Sequence, residues 1–158
     1  MKNLRTALMC LCTIIVGLQT FAQGNTSPVN EPDYNRPKLF NNLPDRIVLE
    51  TSTVGNMLTK EMGQTATISL SADQSVKFEG TVVSSVSKYD NTIRSIVIRS
   101  VNYSGATLTI TRVTKNDDSA PTYTGRMMSL QHGDLYELKE IDGSLILIKK
   151  NFYDLVNE

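Results

Sequence analysis

The feature that most constrains the fold of this chain is an alternation of apolar and polar residues with a period of two. In "ATLTITRV", the apolar residues Ala106, Leu108 and Ile110 fall on one face, and three threonines fall on the other. In "VKFEGTVVSSVSKY", the residues that share one face are Val76, Phe78, Val82 and Val86. This alternation is typical of antiparallel strands that bury one face and leave the other in water.

Turn residues separate these segments at short intervals. "KYDNT" joins the long strand to "TIRSIVIRSVNY", and Asp142-Gly143 lies between two apolar runs, which is a strong hairpin signal because both central residues need positive φ. His132-Gly133 is interpreted as another turn of this kind. Gly80 and Gly125 interrupt strands and predict bulges or bends.

The pattern as a whole predicts an all-β fold. "RIVLE" and "TATISLS" add two strands, with one short helix between them that begins near a capping Thr51 or Ser52 and turns Met57 and Leu58 inward. We therefore predict an antiparallel meander of about eight strands that forms a small barrel or sandwich.

The amino terminus resembles the export signals of Gram-negative bacteria. Lys2 and Arg5 precede an apolar run that is shorter than the roughly 20 residues of a membrane span, and Ala22 provides a small residue for cleavage. The predicted division is a signal peptide at residues 1–22, a flexible leader at 23–42 and a single β domain at 43–158. The leader is either a spacer or a segment that docks on a partner through Tyr34, Leu39 and Phe40. We expect the product in the periplasm, at the cell surface or outside the cell.

Cysteine and charge exclude several functions for the predicted mature chain. Cys10 and Cys12 lie in the signal, so disulfides and cysteine-ligated metals are not expected. With Lys2 and Arg5 removed, the chain carries two more acidic than basic residues, and the charges are dispersed, which is unlike a nucleic-acid binder. We expect no cofactor, no metal site, no nucleic-acid partner and no transmembrane segment after signal cleavage.

"SLQHGDLYEL" contains the best candidate for chemistry. His132, the one histidine, could act as a general base oriented by Asp134, with Tyr136 binding a substrate. We favour a turn, because His132 is expected at an exposed loop tip and a lone histidine cannot supply the three or four ligands of a zinc site. We therefore predict no catalytic residue and name His132, Asp134, Tyr136 and Arg126 as candidate binding residues.

The loop "KNDDSAPT" carries two smaller motifs. Asp117 and Asp118 lack the spaced oxygen ligands of a calcium loop. Asp118-Ser119-Ala120 resembles the acceptor for O-glycosylation of exported proteins in some Gram-negative bacteria, so Ser119 is a possible glycosylation site.

The order "FEGTVVSS … SIVIRS … TGRMMSLQHGDLYEL" resembles the pro-domains of secreted metalloproteases. The matching residues are Phe78, Gly80, Val82, Ser95, Val97, Gly125, Met127 and Tyr136. The resemblance implies a stand-alone inhibitor or chaperone of a secreted hydrolase, although the cysteine that such pro-domains often place on the catalytic zinc is missing.

Two functions follow from the sequence. The first is a non-enzymatic exported module that binds a ligand or partner, an envelope or extracellular protein or glycan. The second is the pro-domain-like inhibitor or chaperone. A hydrolase that uses dispersed carboxylates is a third reading, because such pairs are assembled only in space.

Overall fold

The computed structural model describes residues 36–115 and 120–152. The predicted signal peptide, most of the predicted leader, and Asp117, Asp118 and Ser119 lie outside these residues. In chain order the elements are β1 (Arg46–Leu49), α1 (Thr51–Leu58), β2 (Thr65–Ser69), β3 (Lys77–Lys88), β4 (Ile93–Ser100), β5 (Ala106–Val113), β6 (Thr122–Ser129), β7 (Asp134–Ile141) and β8 (Ser144–Asn151). The predicted all-β meander with one short helix is confirmed.

The eight strands form one antiparallel sheet in the order β1-β8-β7-β6-β5-β4-β3-β2. The sheet curls into a half-barrel whose two edges are β1 and β2. The chain reaches the far edge through α1 and then returns strand by strand until β8 pairs with β1. The first and last strands are therefore neighbours, so residues just before β1 lie beside the end of β8.

The inner face of the curl holds the core. Residues directly opposite on neighbouring antiparallel strands share a face, and the register joins Ile98 to Leu108, Leu108 to Met127 and Met127 to Tyr136. Each of these four residues is at most 1% exposed. The core therefore crosses the sheet as rows of side chains.

Helix α1 packs against β2, β4 and β5 and contributes Val54, Met57 and Leu58 to the core. The inward orientation of Met57 and Leu58 is as predicted. The predicted capping residue is wrong, because the N-cap is Glu50 and its side chain makes no capping hydrogen bond. Instead, the Thr53 hydroxyl donates to a Glu50 carboxylate oxygen at 3.2 Å.

A bulge in β3 changes which residues face the core. Val82 pairs with Ile98 and Ser84 pairs with Val97, so Val83 is the extra residue. A one-residue shift moves every later side chain to the opposite face. Ser85 consequently lies opposite the buried Ile96, while Val86 is 41% exposed. The prediction that Val86 shares the face of Phe78 and Val82 is wrong for this reason.

Gly80 and Gly125 lie within continuous pairing, not at bulges. A Cβ atom at Gly80 would collide with the Arg99 carbonyl oxygen, and one at Gly125 would collide with the Thr109 carbonyl oxygen. Glycine is required where backbones approach this closely. Both residues therefore allow the sheet to curl.

Two of the predicted hairpin turns are present. Ile141 pairs with Ser144, and Asp142 and Gly143 between them have φ values of 51° and 74°, as the tight turn requires. The β3–β4 turn has positive φ at Tyr89, Asp90 and Asn91. The predicted turn of His132 and Gly133 is wrong in its geometry: β6 and β7 are joined by a four-residue loop, in which Gly133 has a φ of 60° but His132 does not have a positive φ.

Candidate binding site at the rim of the half-barrel

Hydrogen bonds attach the segment before β1 to the start of β7 and the end of β8. The Leu39 amide donates to Oδ2 of Asp134 at 2.5 Å, and Lys38 Nζ donates to the Gly133 carbonyl oxygen at 2.6 Å. The hydroxyl of Tyr136 donates to the Pro44 carbonyl oxygen at 2.9 Å. These bonds join residues more than 90 positions apart and fix this segment to the sheet.

The structure corrects the boundary of the predicted flexible leader. Residues 36–42, which we assigned to the leader, belong to the packed domain, because Phe40 is 0% exposed. The Phe40 ring makes edge contacts with Tyr103 and Tyr136, with centroids 5.5 and 5.9 Å apart. Leu39 and Phe40 thus dock on this chain itself, while Tyr34 lies outside the described residues.

Lys149 connects the same segment to β8. Its ammonium group donates to the carbonyl oxygens of Phe40 and Leu43 at 3.1 and 3.5 Å and lies 3.9 Å from a carboxylate oxygen of Asp45. It also lies 5.8 Å from the centroid of the Tyr136 ring. Because the ammonium group is held by these acceptors, we assign Lys149 a structural role at the rim.

Tyr136 is held in its neutral form. Burial and, secondarily, the charges of Asp45 and Asp134 raise the pKa of Tyr136 to about 12. Burial also raises the pKa of Tyr103. The Tyr136 phenol is therefore a hydrogen-bond donor at neutral pH and is unsuited to accept a proton from a substrate.

Beside this segment lies a cleft of about 540 Å³, which we call the rim cleft. Its lining residues are Lys38, Asn41, Asp45, Arg46, Gly133, Asp134, Leu135, Ile148, Lys149, Lys150, Asn151 and Phe152. Four basic side chains and two carboxylates are present, although the chain as a whole has a formal net charge of zero. The cleft therefore has a local excess of positive charge.

The three candidate residues of "SLQHGDLYEL" lie near each other, but they do not form a catalytic triad. His132 Nδ1 is 2.8 Å from the hydroxyl oxygen of Ser129, which is 0% exposed and cannot meet a substrate in this arrangement. Asp134 accepts from the Leu39 amide, and no hydrogen bond joins it to His132 among the described residues. His132 itself is half-buried, so the expectation that it projects into solvent is wrong.

Arg126 lies apart from the other candidate residues. It is exposed, and its register partners are Thr109 and Glu137 on the outer face of the sheet. It lines a separate outer groove of about 710 Å³, together with threonines of β5 and β6. The structure therefore does not bring Arg126 to the rim cleft.

Sequence reasoning missed the basic residues of the rim cleft. Lys38 precedes β1 and Arg46 begins it, whereas Lys149 and Lys150 lie near the end of β8, and the β1–β8 pairing brings the two groups together. The sequence signal was the run Lys149-Lys150 at the end of an apolar strand, but its partners lie about a hundred residues away.

Among the described residues, no group of three or more histidine, cysteine, aspartate or glutamate side chains could hold a metal ion. Within the same ranges, no helix is both long and apolar enough to cross a membrane.

Comparison of the chain with models of protein families, with curated proteins and with solved structures gives no match. The kind of ligand that the rim cleft could bind is therefore inferred from its lining residues alone. Its cations lie beside the apolar residues Leu135 and Ile148, and this combination suits a ligand that presents carboxylates next to apolar groups.

Proposed function

We propose that this protein is an exported, non-enzymatic binding module whose rim cleft holds a segment of an envelope or extracellular protein. The segment presents carboxylates beside apolar side chains. The single observation that carries the proposal is the pair Arg46 and Lys150, two exposed cations at the cleft whose side chains make no hydrogen bond or ion pair with any residue in the described ranges.

The two cations flank an apolar floor. Arg46 lies directly opposite Ile148, and Lys150 lies directly opposite Leu135, so all four side chains share the outer face of β1, β8 and β7. Leu135 is 2% exposed and Ile148 is half-buried. A bound apolar side chain would contact the exposed part of Ile148 while a neighbouring carboxylate reaches a cation.

The apolar contact and the charges contribute differently to binding. Burial of apolar surface supplies affinity at roughly 25 cal/mol per Å². An exposed ion pair contributes only about 0–1 kcal/mol, so the two cations act mainly on orientation and association rate. Binding should therefore weaken as salt rises, without being abolished.

Export is the second part of the proposal. It is supported by the basic start, the apolar run and Ala22 at a plausible cleavage point. Fractionation of the producing cells tests it, because an exported product appears in the periplasm or medium as a chain that begins near Gln23. A cytoplasmic product with intact residues 1–22 would contradict it.

Selection from a random peptide library on the immobilised mature protein tests the binding chemistry. Recovered peptides should combine aspartate or glutamate with apolar residues, and their binding should fall in Arg46→Glu/Lys150→Glu. The matched control, Lys77→Glu/Lys88→Glu, reverses two exposed lysines of β3 and should bind as wild type. Selection of basic peptides, or equal binding by both variants, would contradict the proposal.

Capture from the envelope fraction distinguishes this function from inhibition of a hydrolase. A partner retained by wild type and by the lysine control, and lost by Arg46→Glu/Lys150→Glu, supports the binding module. A secreted protease that is inhibited by the protein and retained by all three baits would favour the inhibitor instead. Retention of a glycan alone would also contradict the proposed partner.

A further inference from the structure

Two arginines face each other at the end of the strands remote from the rim cleft. Arg94 of β4 and Arg112 of β5 are direct register partners, and they extend the row that holds the buried pair Ile96 and Ile110. Like charges directly opposite on neighbouring strands destabilise a sheet. An arrangement of this kind calls for a neutralising partner.

Arg94 has acceptors within the protein. Its Nε and Nη2 atoms donate to the side-chain oxygen of Asn91 at 3.1 and 2.9 Å. Its Nη1 atom donates at 3.4 Å to the carbonyl oxygen of Leu58, the last residue of α1. The carboxyl end of a helix carries partial negative charge, so this position favours a cation.

Arg112 has no such support. Its Nε atom is buried and makes no hydrogen bond with any of the described residues. A buried donor of a charged group that lacks an acceptor is costly, and natural structures rarely retain one without a reason. The residue as a whole is half-buried, so part of its side chain remains exposed to solvent at this end of the half-barrel.

Tyr123 completes a row of three donors. It lies opposite Arg112 on β6 and is 8% exposed, so Arg94, Arg112 and Tyr123 cross three adjacent strands in one line. The phenol can donate a hydrogen bond, and the planar guanidinium group matches two oxygens of a carboxylate, sulfate or phosphate. We infer that Arg112, supported by Arg94 and Tyr123, binds a small oxyanion at this end of the half-barrel.

Titration with oxyanions tests the inference. Sodium sulfate, sodium phosphate and sodium acetate are added in turn to the mature protein at constant ionic strength, with sodium chloride as reference, and binding is followed by calorimetry and by the melting temperature. At least one oxyanion should raise the melting temperature above the chloride value, since a ligand specific to the folded state stabilises it. The preferred salt shows whether the site takes a carboxylate or a tetrahedral anion.

Arg112→Met should remove the effect. Affinity for the preferred oxyanion should fall about tenfold or more, as expected for loss of charge-assisted hydrogen bonds. The same variant should melt at a higher temperature than wild type in chloride alone, because the opposed charge and the unpaired donor are gone. A residue with a purely structural role would not produce both changes. Arg99→Met, which removes an exposed arginine of β4, is the matched control and should bind as wild type.

Equal oxyanion responses in wild type and Arg112→Met would overturn the inference. So would a lower melting temperature of Arg112→Met in chloride. Asp117→Asn/Asp118→Asn should leave the oxyanion response unchanged. If this variant bound the added oxyanion clearly more tightly than wild type, the chain's own carboxylates would be the partner of Arg112. That result would also overturn the inference.

Discussion

At the residue scale, Asp134 connects the start of the domain to its sheet. The carboxylate is 4% exposed and accepts from the Leu39 amide, so it links two segments that are 95 residues apart. Its neighbour in the loop, His132, is likewise engaged, with the buried Ser129 hydroxyl. The polar residues of "SLQHGDLYEL" that we considered as candidate catalytic groups thus serve in packing and in the loop between β6 and β7.

Asp134→Ala should lower the free energy of unfolding by about 1–3 kcal/mol, because the Leu39 amide would lose its acceptor in a buried setting. Asp134→Asn retains an acceptor oxygen and should cost less. Asp45→Ala, at an exposed carboxylate, should change stability by less than about 0.5 kcal/mol. Urea denaturation at neutral pH measures all three. Equal losses for Asp134→Ala and Asp45→Ala would show that the bond between Asp134 and Leu39 does not stabilise the domain.

Tyr136 should make stability depend on pH in the alkaline range. Its pKa is raised from 10.0 to about 12 in the folded protein, so the unfolded chain loses the phenolic proton first as pH rises. This stabilisation is fully present below pH 10 and is lost between about pH 10 and 12. Stability should fall less steeply with pH across this range for Tyr136→Phe, which has no phenolic proton to lose at this position. Identical slopes would contradict the assignment.

At the scale of the elements, alternation predicted the strands well, because each strand buries only one face. The eight strands, the Asp142-Gly143 turn and the inward faces of β5 and α1 follow from residue pattern alone. The bulge at Val83 could not be predicted this way, because "GTVVSSV" also reads as regular alternation. The register shift is visible only once Val82 and Ser84 are placed against β4.

Two glycines offer a matched test of the curl. Gly80→Ala should lower the free energy of unfolding by about 1–3 kcal/mol, since the added methyl group collides with the backbone of β4. Gly55→Ala, inside α1 with nothing within 4 Å of its Cβ position, should raise it by about 0.5–1 kcal/mol. Thermal or urea denaturation followed by circular dichroism measures both. A neutral Gly80→Ala would mean that the sheet does not need this close approach.

At the scale of the whole molecule, the return of β8 to β1 creates the candidate site. The sequence predicted Asp134 and Tyr136 as binding residues, and Asp134 lines the rim cleft. It did not predict Arg46, Lys149 or Lys150, because their proximity depends on which strands become neighbours. The sequence also placed Phe40 in the leader, because a polar segment with three prolines is typical of a flexible chain. Phe40 is nevertheless a core residue.

Truncation locates the start of the domain. A mature chain that begins at Arg36 should keep the stability of the longer protein, whereas one that begins at Asn41 loses Leu39 and the buried Phe40. The shorter chain should be less stable by at least about 3–5 kcal/mol, the cost of removing a fully buried aromatic side chain. Calorimetric melting of both chains measures the difference. Equal melting temperatures would show that residues 36–40 do not stabilise the domain and belong to a dispensable leader.

The proposed function requires that the rim cleft bind an acidic and apolar segment of a partner. The most direct measurement is amide chemical-shift mapping of the mature protein titrated with the tightest peptide from the library selection. The proposal predicts shifts centred on Arg46, Leu135, Ile148 and Lys150, which are clearly smaller in Arg46→Glu/Lys150→Glu at the same peptide concentration. Shifts centred on the outer groove around Thr109 and Arg126, or none at all at saturating peptide, would contradict it.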